Sequence, residues 1–165
     1  MTTPDRAPDP CYVVCRWDAA ASAFAAALAD TSAAAGDAGV ALPGRVDALV
    51  RAGHATEALA AVAAFETSAG GSGAGLAASG LDAIDLRLLR AKALAARGDA
   101  AAAEALFDAL AAEAPEDFRP LLAKGLFLRD QGPGRALAAD KALVNARLLA
   151  PKDARKMVDG LIGDR

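Results

Sequence analysis

The chain has 165 residues, a net charge of −3 and only 4% aromatic residues, enough for one domain or a short array but not for two large domains. The charge balance and the absence of a long basic run argue against a nucleic-acid footprint or an anionic membrane as the main partner, and no window approaches the roughly 18 consecutive apolar residues of a spanning helix. Apolar residues make up 55%, yet about 48 residues are alanine, which favours helix and buries little area per side chain. Helix is therefore the expected state, and a protein or peptide the expected partner.

In chain order, residues 1–17 read as a disordered or extended lead: "MTTPDRAPDP" carries three prolines and no apolar pattern, and "CYVVCRW" is a short apolar run, strand-like or docked on the helical array. Residues 18–43 read as a helix from Asp18 to about Ala35 and a loop, "GDAGVALPG". The segment "CRWDAAASAFAAALAD" also has the outline of a secretory or thylakoid-transfer signal, with Arg16 before an alanine run and a small-x-small "ALA" at Ala27 to Ala29. Asp18 in the flank and the weak hydrophobicity of alanine favour a capped surface helix instead.

A helix hairpin follows over 44–67, broken at Gly53. The Gly/Ser-rich stretch 68–81 reads as a flexible insertion. Asp82 caps a helix ending at Gly98, and Asp99 caps another ending before Pro115. The pattern recurs over 116–151, with Asp117 as cap and Pro120 in the first turn, where a missing N–H costs least. Residues 152–165 form a final helix.

Spacing shows that these hairpins are related. Ala91, Leu94 and Gly98 recur 34 residues later as Gly125, Leu128 and Gly132. Ala103, Phe107, Leu110 and Pro115 recur 36 later as Ala139, Leu143, Ala146 and Pro151, the difference being the two-residue insertion at "GPG". The first hairpin joins at a separation of 45, with Gly53, Ala58 and Val62 matching Gly98, Ala103 and Phe107.

In these residues the chain resembles the tetratricopeptide repeat (TPR): a 34-residue helix-turn-helix with a small residue in helix A, glycine at the turn, alanine and an aromatic in helix B, and a closing proline. The helix A aromatic is replaced by Arg87 and Leu121. The resemblance covers 44–151, as repeats 44–67, 82–115 and 116–151. It implies an all-α, right-handed superhelical array of antiparallel helix hairpins with capping helices, 18–35 at one end and 152–165 at the other.

The tail is also similar to a plant and algal family of chloroplast, thylakoid-lumen-associated TPR-like proteins. The shared features are Lys124-Gly125, Ala146-Arg147, Ala150-Pro151, Ala154 and Val158-Asp159. That likeness implies a non-enzymatic role in chloroplast biogenesis or photosynthetic complex assembly, in the stroma or thylakoid lumen; without it, a cytoplasmic scaffold is implied.

A TPR array binds through the inner face of its A helices, at residues three and four apart. In this register these are Asp85, Leu88, Lys92 and Ala95, then Arg119, Leu122, Leu126 and Arg129. The cations suit a carboxylate or acidic peptide and the leucines an apolar side chain; the alternative is that the charges are solvated and the leucines core. The chaperone-tail clamp of some TPR proteins is not expected, because the asparagine it needs is absent from helix A.

Nothing points to catalysis, a metal or a cofactor. Cys11 and Cys15 form C-x-x-x-C, not the thioredoxin spacing, and lack the companions a zinc site needs. On a helix or a strand they share a face, so a redox-sensitive disulfide and ordinary thiols both remain open. His54 has no nucleophile at a paired spacing and follows the turn as a polar helix-starting residue. Self-association through helix 18–35 is a further possibility.

Overall fold

The computed structural model describes residues 10–29, 38–68 and 73–163; among them lie nine α-helices, one 3-10 turn and no strand. The all-α expectation is met. The chain forms two compact units, Met1–Arg97 and Gly98–Arg165. Their division falls within the expected hairpin 82–115, so its two helices belong to different units.

The first unit holds α1 (Pro10–Ala29), α2 (Ala38–Ala52), α3 (Ala55–Ser68), α4 (Gly73–Ser79) and α5 (Ala83–Arg97). Helix α1 starts eight residues before the expected Asp18, so the described part of the lead is neither extended nor strand-like. Proline is well tolerated at a first helical position. The β-prone run that follows is helical as well, with Val14 and Cys15 exposed. Trp17 lies against the unit's core, with the Arg51 guanidinium 4.9 Å from its ring centroid. The Phe24 ring sits on Gly44 of α2 so closely that an added Cβ would lie 2.6 Å from its Cζ. Residues 30–37, where helix 18–35 was expected to end, lie outside the described residues.

Helix α2 likewise starts earlier than expected and runs through Pro43. A proline inside a helix costs about 3 kcal/mol. Leu42 and Val46 on either side of it are fully buried, and each such burial contributes about 1.5–3 kcal/mol, so packing wins. The expected flexible insertion contains α4, whose composition hid its anchors: Leu76 and Leu81 pack on the unit's core. At its end Ser79 Oγ donates to Leu76 O at 2.7 Å, and Leu81 N–H donates to Leu76 O at 3.3 Å.

Helices α2, α3 and α5 pack on one another around a core that includes Leu42, Val46, Leu49, Ala58, Val62 and Leu86. Their first turn closes as a Schellman motif, with Gly53 N–H donating to Val50 O at 3.1 Å and His54 N–H to Leu49 O at 2.8 Å. Gly53 has φ +86°, and the equivalent Gly98 and Gly132 have +96° and +98°. These are left-handed positions that glycine alone adopts readily.

The second unit holds α6 (Ala100–Glu113), α7 (Phe118–Asp130), α8 (Ala136–Leu149) and α9 (Lys152–Gly163), with a 3-10 turn at Pro133–Arg135 absorbing the "GPG" insertion. Consecutive helices pack on each other. Asp117 caps α7, accepting from Arg119 N–H at 2.8 Å. Asp99 stands at the N-cap of α6 without a side-chain cap bond. Its φ −82°, ψ 58° departs from the extended backbone that turns a capping side chain back onto the first turn.

The residues that define the repeat occupy matching environments. Ala58, Ala103 and Ala139 are buried, as are Val62, Phe107 and Leu143, and so are the pairs Ala91 and Gly125, and Leu110 and Ala146. Pro115 and Pro151 are exposed and end their helices alike: Ala114 N–H donates to Leu110 O at 3.0 Å and Ala150 N–H to Ala146 O at 2.9 Å. Phe107 meets Phe127 of α7 with ring centroids 5.5 Å apart. Leu143 of α8 presses on the bare backbone of Gly125 and joins Leu122, Ala146, Ala150 and Val158 in a core.

Candidate partner-binding face

Each unit contributes one of the helices expected to bind a partner, and the two surfaces differ. In the first unit, Asp85 is absorbed by the start of α5. Asp85 N–H donates to Asp82 Oδ1 at 2.7 Å, and Asp82 N–H donates back to Asp85 Oδ2 at 3.1 Å, a reciprocal capping box. Leu88 is half-buried and Lys92 exposed.

Lys92 Nζ donates to Asp47 Oδ1 at 2.6 Å, across from α5 to α2. Asp47 Oδ2 accepts from Arg51 Nε at 2.8 Å, and Arg51 in turn covers Trp17. The result is a chain of contacts from α1 through α2 to α5. Burial alone raises the Asp47 pKa, but the hydrogen bonds and charges of Lys92 and Arg51 outweigh it and hold the carboxyl below its ordinary value. Asp47 was not among the expected face residues. Its signal was present: it stands 45 residues before Lys92, the spacing that aligns the first two hairpins.

In the second unit, α7 carries Arg119, Leu122, Leu126 and Arg129. The Arg119 guanidinium binds Asp117, with Nη2 to Oδ2 at 2.6 Å and Nε to Oδ1 at 3.1 Å. Arg129 Nη1 donates to Leu161 O of α9 at 3.1 Å. Leu122 is only 8% exposed and belongs to the core, and Leu126 packs against it half-buried. Thus Leu122 does not present the open apolar surface expected of it, because α7 packs on α8 and Leu122 joins Leu143 and Ala146 there, with Val158 of α9 in the same core. Between the turns Ala114–Arg119 and Leu149–Pro151 lies an open, largely apolar depression of about 780 Å³, lined by Pro115, Phe118, Arg119, Leu149 and Pro151.

The remaining candidates are simply placed. Cys11 and Cys15 lie one turn apart on α1, and Cys15 is exposed; the side chain of Cys11 lies outside the described residues. His54 Nε2 is 3.1 Å from Asp18 Oδ1, and its Nδ1 3.7 Å from Glu57. Among the described residues no group of three or more His, Cys, Asp or Glu side chains comes together in a way that would hold a metal ion, and no helix is long and apolar enough to cross a membrane.

No family model, curated protein or solved structure matches this chain.

Proposed function

We propose that this protein is a TPR-type helical-repeat scaffold that binds a protein or peptide client and performs no chemistry of its own. The observation that carries this reading is the contact between Asp47 and Lys92. The two residues are 45 apart, occupy the same position in successive hairpins, and meet at 2.6 Å on their first helices. Stacked repeats place equivalent positions of neighbouring A helices side by side on an inner face. The turn glycines and buried alanines recur in the same register and support the same arrangement.

The client on this reading is an extended or helical acidic segment. Its carboxylate competes with Asp47 for Lys92, and the half-buried Leu88 receives an apolar side chain beside it. The narrower resemblance of the tail makes a subunit of a photosynthetic complex under assembly the client to look for.

Capture from native extract tests the proposal, comparing the wild-type chain with Lys92→Glu and with Arg129→Glu. A client held by the inner face is depleted at least several-fold by Lys92→Glu while the helical signal is unchanged. A captured set identical for all three proteins would refute the assignment of the face.

A further inference from the structure

Helix α8 is apolar on two opposite sides. One side carries Ala139, Ala142, Leu143 and Ala146, all buried. At 100° per residue the opposite side carries Leu137, Lys141, Val144 and Leu148. Leu137 is 86% exposed, Leu148 72% and Val144 56%. A helix that serves only its own core presents a polar outer face. The spacing of this outer row, four, three and four, is that of a coiled-coil seam, with Leu137 and Val144 in one kind of core position and Lys141 and Leu148 in the other.

The row is also matched to itself. Laid antiparallel on a second copy, it pairs Leu137 with the copy's Leu148, and Lys141 with the copy's Val144, in each direction. Sliding the pair by a heptad either way leaves at least one leucine of each copy without an apolar partner. The charges follow the same symmetry. Asp140 and Arg147, both exposed, flank the row on one side in the seven-residue relation that brings Asp140 of one copy to Arg147 of the other, twice per dimer. A parallel pairing would instead stack Lys141 on Lys141.

We propose that α8 is a homodimer interface, an antiparallel, two-fold pairing of α8 with α8 of a second copy of this chain. The Lys141 stem covers the opposing Val144 while its ammonium stays in water, and one such polar residue in a seam fixes the register at a cost in affinity. Arg147 also reaches Asp159 of α9 in the single chain; its guanidinium fork has donors for both carboxylates. A helix of 14 residues is about 21 Å long, so the seam lies at the small end of specific interfaces and the dimer is of micromolar strength.

Sedimentation velocity of the full chain from about 1 to 500 µM tests this, with circular dichroism and melting confirming that each variant is folded. The wild type moves from monomer to dimer mass across this range, and Leu148→Glu stays monomeric throughout. In an Asp159→Asn background, Asp140→Lys and Arg147→Glu each weaken the dimer at least several-fold, and the combined swap restores it. A wild type that is monomeric at every concentration, a dimer indifferent to Leu148→Glu, or a swap that fails to restore association would each overturn the proposal.

Discussion

Gly125 is a repeat position where close packing demands a small side chain, and Gly125→Ala measures that demand. In the interior of α7 the change should help by about 1 kcal/mol, because alanine is the better helix former. The added Cβ would stand 2.6 Å from both Cγ and Cδ2 of Leu143 and 3.1 Å from its backbone nitrogen. The side-chain clash is relieved by rotation only in part, since the backbone nitrogen moves only with α8 itself. Overpacking of this kind costs about 1–3 kcal/mol, so the net expectation is destabilisation by about 1 kcal/mol.

For a chain of this size that lowers Tm by about 2–4 °C, read by circular dichroism or calorimetry. Gly160→Ala in α9 is the internal control: nothing lies within 4 Å of its Cβ position, so propensity acts alone and stability rises by about 0.5–1 kcal/mol. Leu143→Ala, which by itself should cost about 2–5 kcal/mol, should cost less in the Gly125→Ala background, because the clash and the side chain vanish together. If Gly125→Ala stabilised the protein as much as Gly160→Ala does, close approach would not be the reason for glycine at this position.

Removing the partly exposed Lys92–Asp47 pair by Lys92→Met should cost no more than about 1 kcal/mol, and a loss of several kcal/mol in denaturant melts would show that the contact is not the surface pair described. Asp47 has a folded pKa below its unfolded value, so its contribution is present above about pH 4 and is lost as the pH falls through the folded value. The stability gap between the wild type and Asp47→Asn should therefore be flat near neutrality and close on acidification; a gap that closed as the pH rose would contradict the sign. Phe107, 2% exposed and packed at a tilt against the Phe127 ring, should cost about 3–5 kcal/mol as Phe107→Ala, seen as a collapse of the melting transition, whereas a loss below about 1 kcal/mol would remove it from the core. Asp117→Ala should cost about 1 kcal/mol through loss of the cap, and Asp99→Ala less, since no side-chain cap bond forms there; equal losses in denaturant melts would undo that distinction.

Turns and small-residue sites were legible in the chain because they follow local rules. Gly53, Gly98 and Gly132 stand where a helix must end in left-handed backbone, and Ala58, Ala103 and Ala139 where a buried side chain must be small. The seam on α8 was legible in principle, since Leu137, Lys141, Val144 and Leu148 have coiled-coil spacing, but on an alanine-rich helix spacing does not say which of two apolar faces the core takes. Three other features were out of reach: the helical start of α1 at Pro10, the run of α2 through Pro43, and the helix within the Gly/Ser-rich insertion. In each, local preference points away from helix or toward none, and contacts with residues distant in sequence reverse it: Trp17 under Arg51, Leu42 and Val46 in the core, Leu76 and Leu81 beside them.

The candidate face divides along the same line. The TPR resemblance pointed to the A helices, and three-and-four spacing on them selected Lys92, Arg119 and Arg129, since periodicity decides which residues share a helix face. Their fates were decided by neighbours that periodicity does not contain. Lys92 is met by Asp47 from a helix 45 residues away, Arg119 is drawn back onto its own cap, and Arg129 reaches the carbonyl of Leu161. Helical period is a local property of the chain, whereas burial and ion pairing depend on what other helices bring to the same point. The sequence by itself therefore determined the all-helical class and the places that must turn or stay small, and only the tertiary structure decided which charges and leucines stay exposed.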